Sequence, residues 1–280
     1  MDLISVVIPS YNRQESALRA VYSVLAQSYT HIELVFVDDG STDNTSTEMS
    51  GINDSRLILL KQENKGVSKA RNLGVEHSRG DFIAFLDSDD VWTPDKLEKQ
   101  MSFMRSGRWE IAQTGENWIR RGQRVNPRAK HAKQAGWIFF PSLELCLVSP
   151  SCVMMSRKCW DKIGPFDPNL PACEDYDLWL RCSLFYPVGF LAQGLVYKYG
   201  GHSDQLSRKI IGLDLYRIYS LCKLLSQYDL AKEKYSMALS ELKIKLQVYM
   251  QGCIKRGKLE EAQRVYDYVL TRLNLKRLVF

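Results

Sequence analysis

What most restricts the folding of this chain is the rhythm of its first hundred residues. Short apolar runs alternate with amphipathic segments, and most of the runs stop at a polar cluster. Ser5-Val6-Val7-Ile8 reads as a buried strand and ends at Pro9-Ser10-Tyr11-Asn12. Residues 32–37 read as a second strand and run into Asp38-Asp39-Gly40-Ser41, 57–60 as a third, and 82–86 as a fourth that stops at Asp87. Between them Leu18, Val21, Tyr22 and Leu25 recur at helical spacing, a helix is expected over 67–77, and Leu97, Met101 and Met104 mark another. Asn12 with Glu15 three residues on fits a capping box, and Thr93 followed by Pro94 is the expected start of the helix before Leu97. Strands alternating with helices build a parallel sheet covered on both faces. Ligands of such sheets sit outside the carboxyl ends of the strands. Three polar clusters, at Tyr11-Asn12, Asp38-Asp39 and Asp87 to Asp90, are therefore expected to meet at one edge as a single site.

The third cluster, Asp87-Ser88-Asp89-Asp90, carries the sharpest chemistry. Carboxylates this close repel one another unless a cation lies between them. Hard oxygen ligands favour Mg²⁺ or Mn²⁺, which keep phosphate oxygens among their ligands. The plain alternative is a polar turn that caps the next helix.

Size and charge bound the rest. A chain of 280 residues, 45% hydrophobic and 25% charged, holds one sizeable core with an appendage and is not disordered. The net charge of +6 has a local excess between Arg105 and Lys133, where Arg108, Arg120, Arg121, Arg124, Arg128 and Lys130 face only Glu110 and Glu116. This segment is either a solvated loop or a patch for phosphates, an acidic polymer or an anionic membrane surface. Seven cysteines without a Cys-x-x-Cys pair argue against zinc and suit free thiols in a reducing cytosol. No signal peptide and no apolar run of the ~20 residues that span a bilayer are seen. The expected location is cytoplasmic, with peripheral contact at the inner membrane face, and no nucleic-acid partner is expected. From Leu213 onward proline is absent and glycine occurs only at Gly252 and Gly257. Leu239, Leu242, Leu246, Met250 and Cys253, then Leu259, Ala262, Tyr266, Leu270 and Leu273, describe a helical hairpin like one pair of a tetratricopeptide repeat. Its expected role is to pack on the preceding domain, on a second copy or on a protein partner.

Four segments occur in one order: Val7 to Asn12, Val37-Asp38-Asp39-Gly40-Ser41-Thr42-Asp43, Asn64-Lys65-Gly66 with Ala70-Arg71-Asn72, and Leu86 to Asp90. In order and spacing they resemble a family 2 glycosyltransferase. The resemblance implies a GT-A fold, that is, an α/β domain with a Rossmann-like, mostly parallel sheet flanked by helices. It covers residues 3–208 and leaves an all-helical C-terminal extension at 209–280. Residues 1–105 would be the nucleotide-binding half and 106–208 the acceptor half. By resemblance, Pro9 and Tyr11 border uracil, with Tyr11 stacking on it, and Asp39, or else Asp38, accepts the uracil N3 proton. Lys65 and Arg71 reach the nucleotide, Asp87 faces the ribose with Ser88 beside it, and Asp89 binds Mn²⁺ or Mg²⁺. His202, in Gly200-Gly201-His202-Ser203, approaches the metal or diphosphate, with Arg208 and Lys209 adding charge nearby. Glu174 and Asp175 open a helix at the acceptor side, with Asp175 the general base. The implied reaction takes a sugar from a UDP-sugar to a hydroxyl of a glycan or lipid-linked acceptor and inverts the anomeric carbon. A carboxylate suits the base because a sugar hydroxyl is a poor nucleophile at neutral pH, while the metal and Arg71 would stabilise the departing diphosphate. A sugar-nucleotide nucleotidyltransferase would need a glycine-rich phosphate loop after the first strand, and Pro9-Ser10-Tyr11-Asn12-Arg13 has no glycine. A non-catalytic scaffold is the third reading; Asp87, Asp89, Asp175 and His202 together argue against a decayed site.

Overall fold

The structure, a computed structural model, describes residues 1–126, 131–200 and 210–278. Its first half follows the alternation of the sequence: β1 (Ile4–Ser10), α1 (Gln14–Leu25), β2 (Ile32–Asp38), α2 (Thr45–Ser50), β3 (Leu57–Lys61), α3 (Val67–Glu76) and β4 (Phe82–Phe85). The four strands are parallel in the order β3-β2-β1-β4. Successive side chains of a strand point to opposite faces, and both faces are covered. Val6, Ile8, Leu34 and Phe36 join α1 in one core, while Val7, Val35 and Val37 join α3 in another. The second contact is so close that a Cβ on Gly74 would lie 2.4 Å from a Val7 methyl.

Two helix starts differ from expectation. Helix α1 begins with Arg13, not Asn12, in the N-cap position. Asn12 sits at a left-handed φ of 51°, which asparagine tolerates, and its side chain bonds across to another turn. The helix after β5 (Val91–Trp92), α4 (Lys96–Gly107), has Asp95 at its N-cap, and the Thr93 hydroxyl donates to the Asp95 carboxylate.

The chain continues with β6 (Ile111–Arg120), β7 (Gln123–Val125), α5 (Phe139–Glu144), β8 (Val153–Ser156), α6 (Arg157–Ile163), α7 (Glu174–Phe185) and β9 (Gly189–Gly200). These strands extend the same sheet beyond β4 as β8-β6-β9-β5, with β7 hairpinned to β6. The pairing now mixes: β4–β8, β8–β6 and β9–β5 are antiparallel and β6–β9 is parallel. The result is one sheet whose first four strands are parallel and whose remaining strands pair in mixed senses.

Helices α8 (Asp214–Gln227), α9 (Lys232–Lys255) and α10 (Leu259–Arg272) follow. The predicted hairpin is α9–α10, and it packs on the preceding domain. Leu221, Leu242 and Leu246 share one core with Phe139 and Leu143 of α5 and with Tyr176 and Leu180 of α7. The Lys245 ammonium donates to the Glu144 carbonyl at 3.0 Å, and Lys223 bridges Asp167 at 2.7 Å and Asp177 at 3.1 Å. All seven cysteines are unbridged. Among the described residues no helix is long and apolar enough to cross a membrane. His202, Arg208, Lys209, Arg128 and Lys130 lie outside the described residues.

Candidate functional site

The three clusters do meet at the carboxyl edge of the parallel strands, because β1 and β2 pair in register from Ile4 opposite Ile32 to Ser10 opposite Asp38, and β4 flanks β1. The first two turns are bonded to each other. The Asn12 amide donates to Ser41 Oγ at 2.9 Å, and Asn12 Oδ1 accepts from the Thr42 amide at 2.8 Å. Pro9 is buried at the end of β1, where its missing N–H leaves no gap in a ladder that is about to stop. Tyr11 is 45% exposed on the rim, an aromatic ring free to receive a flat ligand.

Asp38 and Asp39 divide sharply. Asp38 Oδ1 accepts from the Ser41 amide at 2.9 Å, while its buried Oδ2 has no hydrogen-bond partner among the described residues. The Asp39 carboxylate accepts from the amides of Lys65 at 2.8 Å and Gly66 at 2.9 Å, and from the Gln62 side chain. It thereby latches the Asn64-Lys65-Gly66 loop over the strand ends. A carboxylate offers about four lone pairs, so one remains for an N–H of a ligand. Lys65 contributes its backbone here, and its side chain is exposed. A shallow cavity of about 520 Å³ borders this latch, lined by Gly40, Ser41 and residues 61–64.

Arg71, expected at the nucleotide, is only 3% exposed and bridges two carboxylates, Asp87 and Glu174, each at 2.7 Å, while its Nε has no hydrogen-bond partner among the described residues. Its guanidinium also lies 5.0 Å from the centre of the Phe166 ring. The neighbouring Asn72 exchanges hydrogen bonds with the backbone of Phe166, donating at 2.8 Å and accepting at 3.0 Å. The Ala70-Arg71-Asn72 segment is thus a clasp between the two halves of the domain. Burial works against an ionised Asp87, yet Arg71 and then Lys198 hold its carboxyl below the usual range. Burial and the neighbouring Asp175 push Glu174 up, and Arg71 opposes them.

Within the acidic turn the members differ. Asp90 is buried; its carboxylate accepts from Ser151 Oγ at 2.6 Å and from the Tyr199 amide at 3.1 Å. It ties the turn to β9 and caps no helix, so the plain alternative of a capping turn does not describe it. Ser88 is buried as well. Asp89 is half-buried and receives no side-chain hydrogen bond among the described residues. Burial first, and the charge of Asp87 second, raise its carboxyl above the usual range. Asp89 offers a hard oxygen acceptor, but among the described residues no three His, Cys, Asp or Glu side chains gather to hold a metal ion.

Two polar residues of this region were missed from sequence. Lys198 of β9 donates to Ser149 Oγ at 2.7 Å, and despite its burial the charges of Asp90, Glu116 and Asp87 keep it firmly protonated. Glu116 of β6 pairs with Lys133 at 3.3 Å, and although burial opposes it, Lys133 and Lys198 hold its carboxyl down at about 2. The available signal was a single lysine inside the otherwise uncharged strand from Leu195 to Tyr199. Glu116 and Lys133 were read instead as part of one basic segment.

At the other end of the clasp, α7 opens with Glu174 and Asp175. Glu174 is 6% exposed and committed to Arg71, whereas Asp175 is half-buried and its Oδ1 accepts from the amide of Tyr176 at 2.7 Å. Cys173 before them holds a left-handed φ of 59°, uncommon for a residue with a side chain, and this turns the chain sharply into the helix. Asp175 therefore sits in the first turn, where the helix dipole favours a carboxylate.

Comparison with known proteins agrees with this geometry. The chain is 35% identical over 179 residues to the Escherichia coli UDP-Glc:alpha-D-GlcNAc-diphosphoundecaprenol beta-1,3-glucosyltransferase WfgD, a match covering 64% of this chain and 68% of that protein. It is 34% identical over 194 residues to an uncharacterized glycosyltransferase of Rickettsia felis, covering 66% of this chain but spanning only 31% of that relative's length. The fold superposes on residues 1–349 of S. aureus TarS in complex with UDP-GlcNAc, with a TM-score of 0.78 at 19% identity, covering 98% of this chain and 82% of the other. Residues 5–163 match the family described as Glycosyl transferase family 2, more than half the chain, and this chain belongs to that family.

Proposed function

We propose that this chain is an inverting glycosyltransferase that moves a sugar from a UDP-sugar to an acceptor hydroxyl, with Asp175 as general base. One observation carries the reading. Arg71 joins Asp87 and Glu174, which are 87 positions apart in sequence, through two 2.7 Å ion pairs, so the acidic turn at the strand ends and the carboxylates opening α7 face one small volume. A leaving diphosphate and an attacking hydroxyl need those two chemistries on opposite sides of one anomeric carbon.

Uracil would stack on Tyr11, with the remaining lone pair of Asp39, or the unpartnered Oδ2 of Asp38, accepting its N3 proton. Asp87 has one oxygen engaged by Arg71 and a side chain 28% exposed, which leaves the other oxygen for a ribose hydroxyl. Asp89, with His202, would hold Mn²⁺ or Mg²⁺, and such a cation supplies positive charge to the departing diphosphate. Asp175 accepts the proton of the acceptor hydroxyl as its oxygen attacks, and one displacement inverts the centre. Glu174 and Arg71 are bonded to each other at 2.7 Å, and we assign both as positioning residues for the start of α7.

The acceptor reading rests on WfgD, whose name specifies a diphosphate-linked lipid, and on the positive turn between β6 and β7. There Arg120 lies over the Trp118 ring at 5.4 Å, and Arg121 turns the chain with a φ of 50°. The test is incubation with UDP-glucose or UDP-GlcNAc, Mn²⁺ and a diphosphate-linked glycan, reading UDP release. Asp175→Asn should keep UDP binding and abolish transfer; a fully active variant removes Asp175 from the mechanism. A protein that binds no UDP, with or without metal, is not the proposed enzyme.

A further inference from the structure

We propose that the cleft enclosed by α8, α10 and the 167–170 loop is a saccharide-binding site for the acceptor glycan, outside the catalytic centre; this rests on the transferase reading above. The cavity is about 430 Å³ and lies between the catalytic domain and its helical extension. Its walls combine Tyr219 and Tyr268 with Asn169, Gln227 and Arg272. The two tyrosine rings meet edge to face with centroids 4.8 Å apart, and Tyr268 is 39% exposed. A pyranose presents a C–H-rich face and a rim of hydroxyls. Aromatic rings take such a face, and carboxamides and a guanidinium take the rim with fixed donors and acceptors.

The charges favour the same ligand. Lys223 on the cleft wall is already neutralised by Asp167 and Asp177. Arg272 is exposed and makes no ion pair among the described residues, so its donors serve ligand hydroxyls or the carboxylate of a uronic acid. Placement links the cleft to the reaction. The Cys173 thiol, two residues before Asp175, donates to the carbonyl of Leu213, immediately before α8, at 3.7 Å. Helix α8 starts beside the turn that carries Cys173 and reaches Tyr219 after about 7.5 Å. A glycan with its terminal hydroxyl at Asp175 can therefore lie along α8 with inner sugars on the tyrosines.

The test uses the full chain, titrated by calorimetry or ligand-observed NMR with chitotriose, with a hyaluronan tetrasaccharide, and separately with UDP. Both saccharides should bind saturably, the uronate-bearing one more tightly. Tyr268→Ala should weaken both by about tenfold, Tyr268→Phe should not, and Arg272→Gln should erase the preference for the tetrasaccharide. UDP binding should stay constant across the variants. Absence of saturable binding by a protein that binds UDP, or binding indifferent to Tyr268→Ala, overturns the site. Failure to bind UDP overturns the transferase reading and this inference with it.

Discussion

Replacing Arg71 by methionine separates a clasp from a nucleotide ligand. The substitution keeps the length and apolar body of the side chain and removes the charge. It leaves Glu174, 6% exposed, with no counter-charge, and frees Asp87, whose side chain at 28% exposed can turn to water. Breaking a buried pair by removing one partner costs about 3–5 kcal/mol. The partial exposure of Asp87 places the expected loss near the low end, about 3 kcal/mol, which is a fall of roughly 6–12 °C in melting temperature for a chain of this size. Because the loss is the burden of an unpaired Glu174, adding Glu174→Gln to Arg71→Met should recover part of it, a coupling that a double-mutant cycle reads directly. Thermal unfolding gives the stability, and calorimetric titration with UDP gives the nucleotide affinity of the folded fraction. The reasoning is refuted if Arg71→Met unfolds at the wild-type temperature yet binds UDP much more weakly, since the guanidinium would then serve the nucleotide and not the fold.

Other consequences are open to direct measurement. Lys96 is fully buried 3.6 Å over the Trp92 ring, with no hydrogen-bond partner for its ammonium among the described residues, and burial pulls its pKa down to about 7. The unfolded chain binds this proton up to about pH 10.4 and the folded chain only to about 7, so stability rises with pH between the two. Lys96→Met should raise the melting temperature at pH 7 and flatten that slope; an unchanged slope refutes the assignment. Asn12→Ala loses the bonds that Asn12 Oδ1 accepts from Thr42 and Asp43 and forces alanine to a positive φ, an expected loss of about 2 kcal/mol by chemical denaturation. Asn12→Gly should lose less, and equal losses would remove the backbone part of the argument. Asp89→Asn should abolish stimulation by Mn²⁺ while leaving UDP affinity in EDTA unchanged; retained stimulation moves the metal elsewhere.

The strands, the helices between them and the edge where their polar ends gather were legible because each depends on local periodicity. Partner choice was not. Whether Arg71 turns to a nucleotide or to Glu174 is decided by a helix 103 residues away, and nothing near Arg71 records it. Asp90 read as a helix cap because acidic residues suit helix starts, but the ties that fix it come from Ser151 and Tyr199. Leu97, Met101 and Met104 mark the apolar face of α4 in the sequence; the buried face is wider and takes in Lys96 and Gln100, whose polarity hides their burial. The hairpin at the C-terminus was visible, but the part of its core supplied by Phe139, Leu143, Tyr176 and Leu180 comes from segments with irregular patterning.

The bonds among the turns at the strand ends bear on how the reaction ends. Asn12 holds the 41–43 turn and Asp39 holds the 64–66 loop before any ligand arrives. The ordering entropy of these segments is lost on folding and not on binding, which strengthens nucleotide affinity. On the UDP-sugar reading proposed above, a pocket that is rigid beforehand would grip the nucleoside equally in the donor and in spent UDP. The difference between them would lie at the phosphate end, so that UDP accumulating in a reaction would compete with fresh donor and its release would require loosening around Asp87 and Asp89.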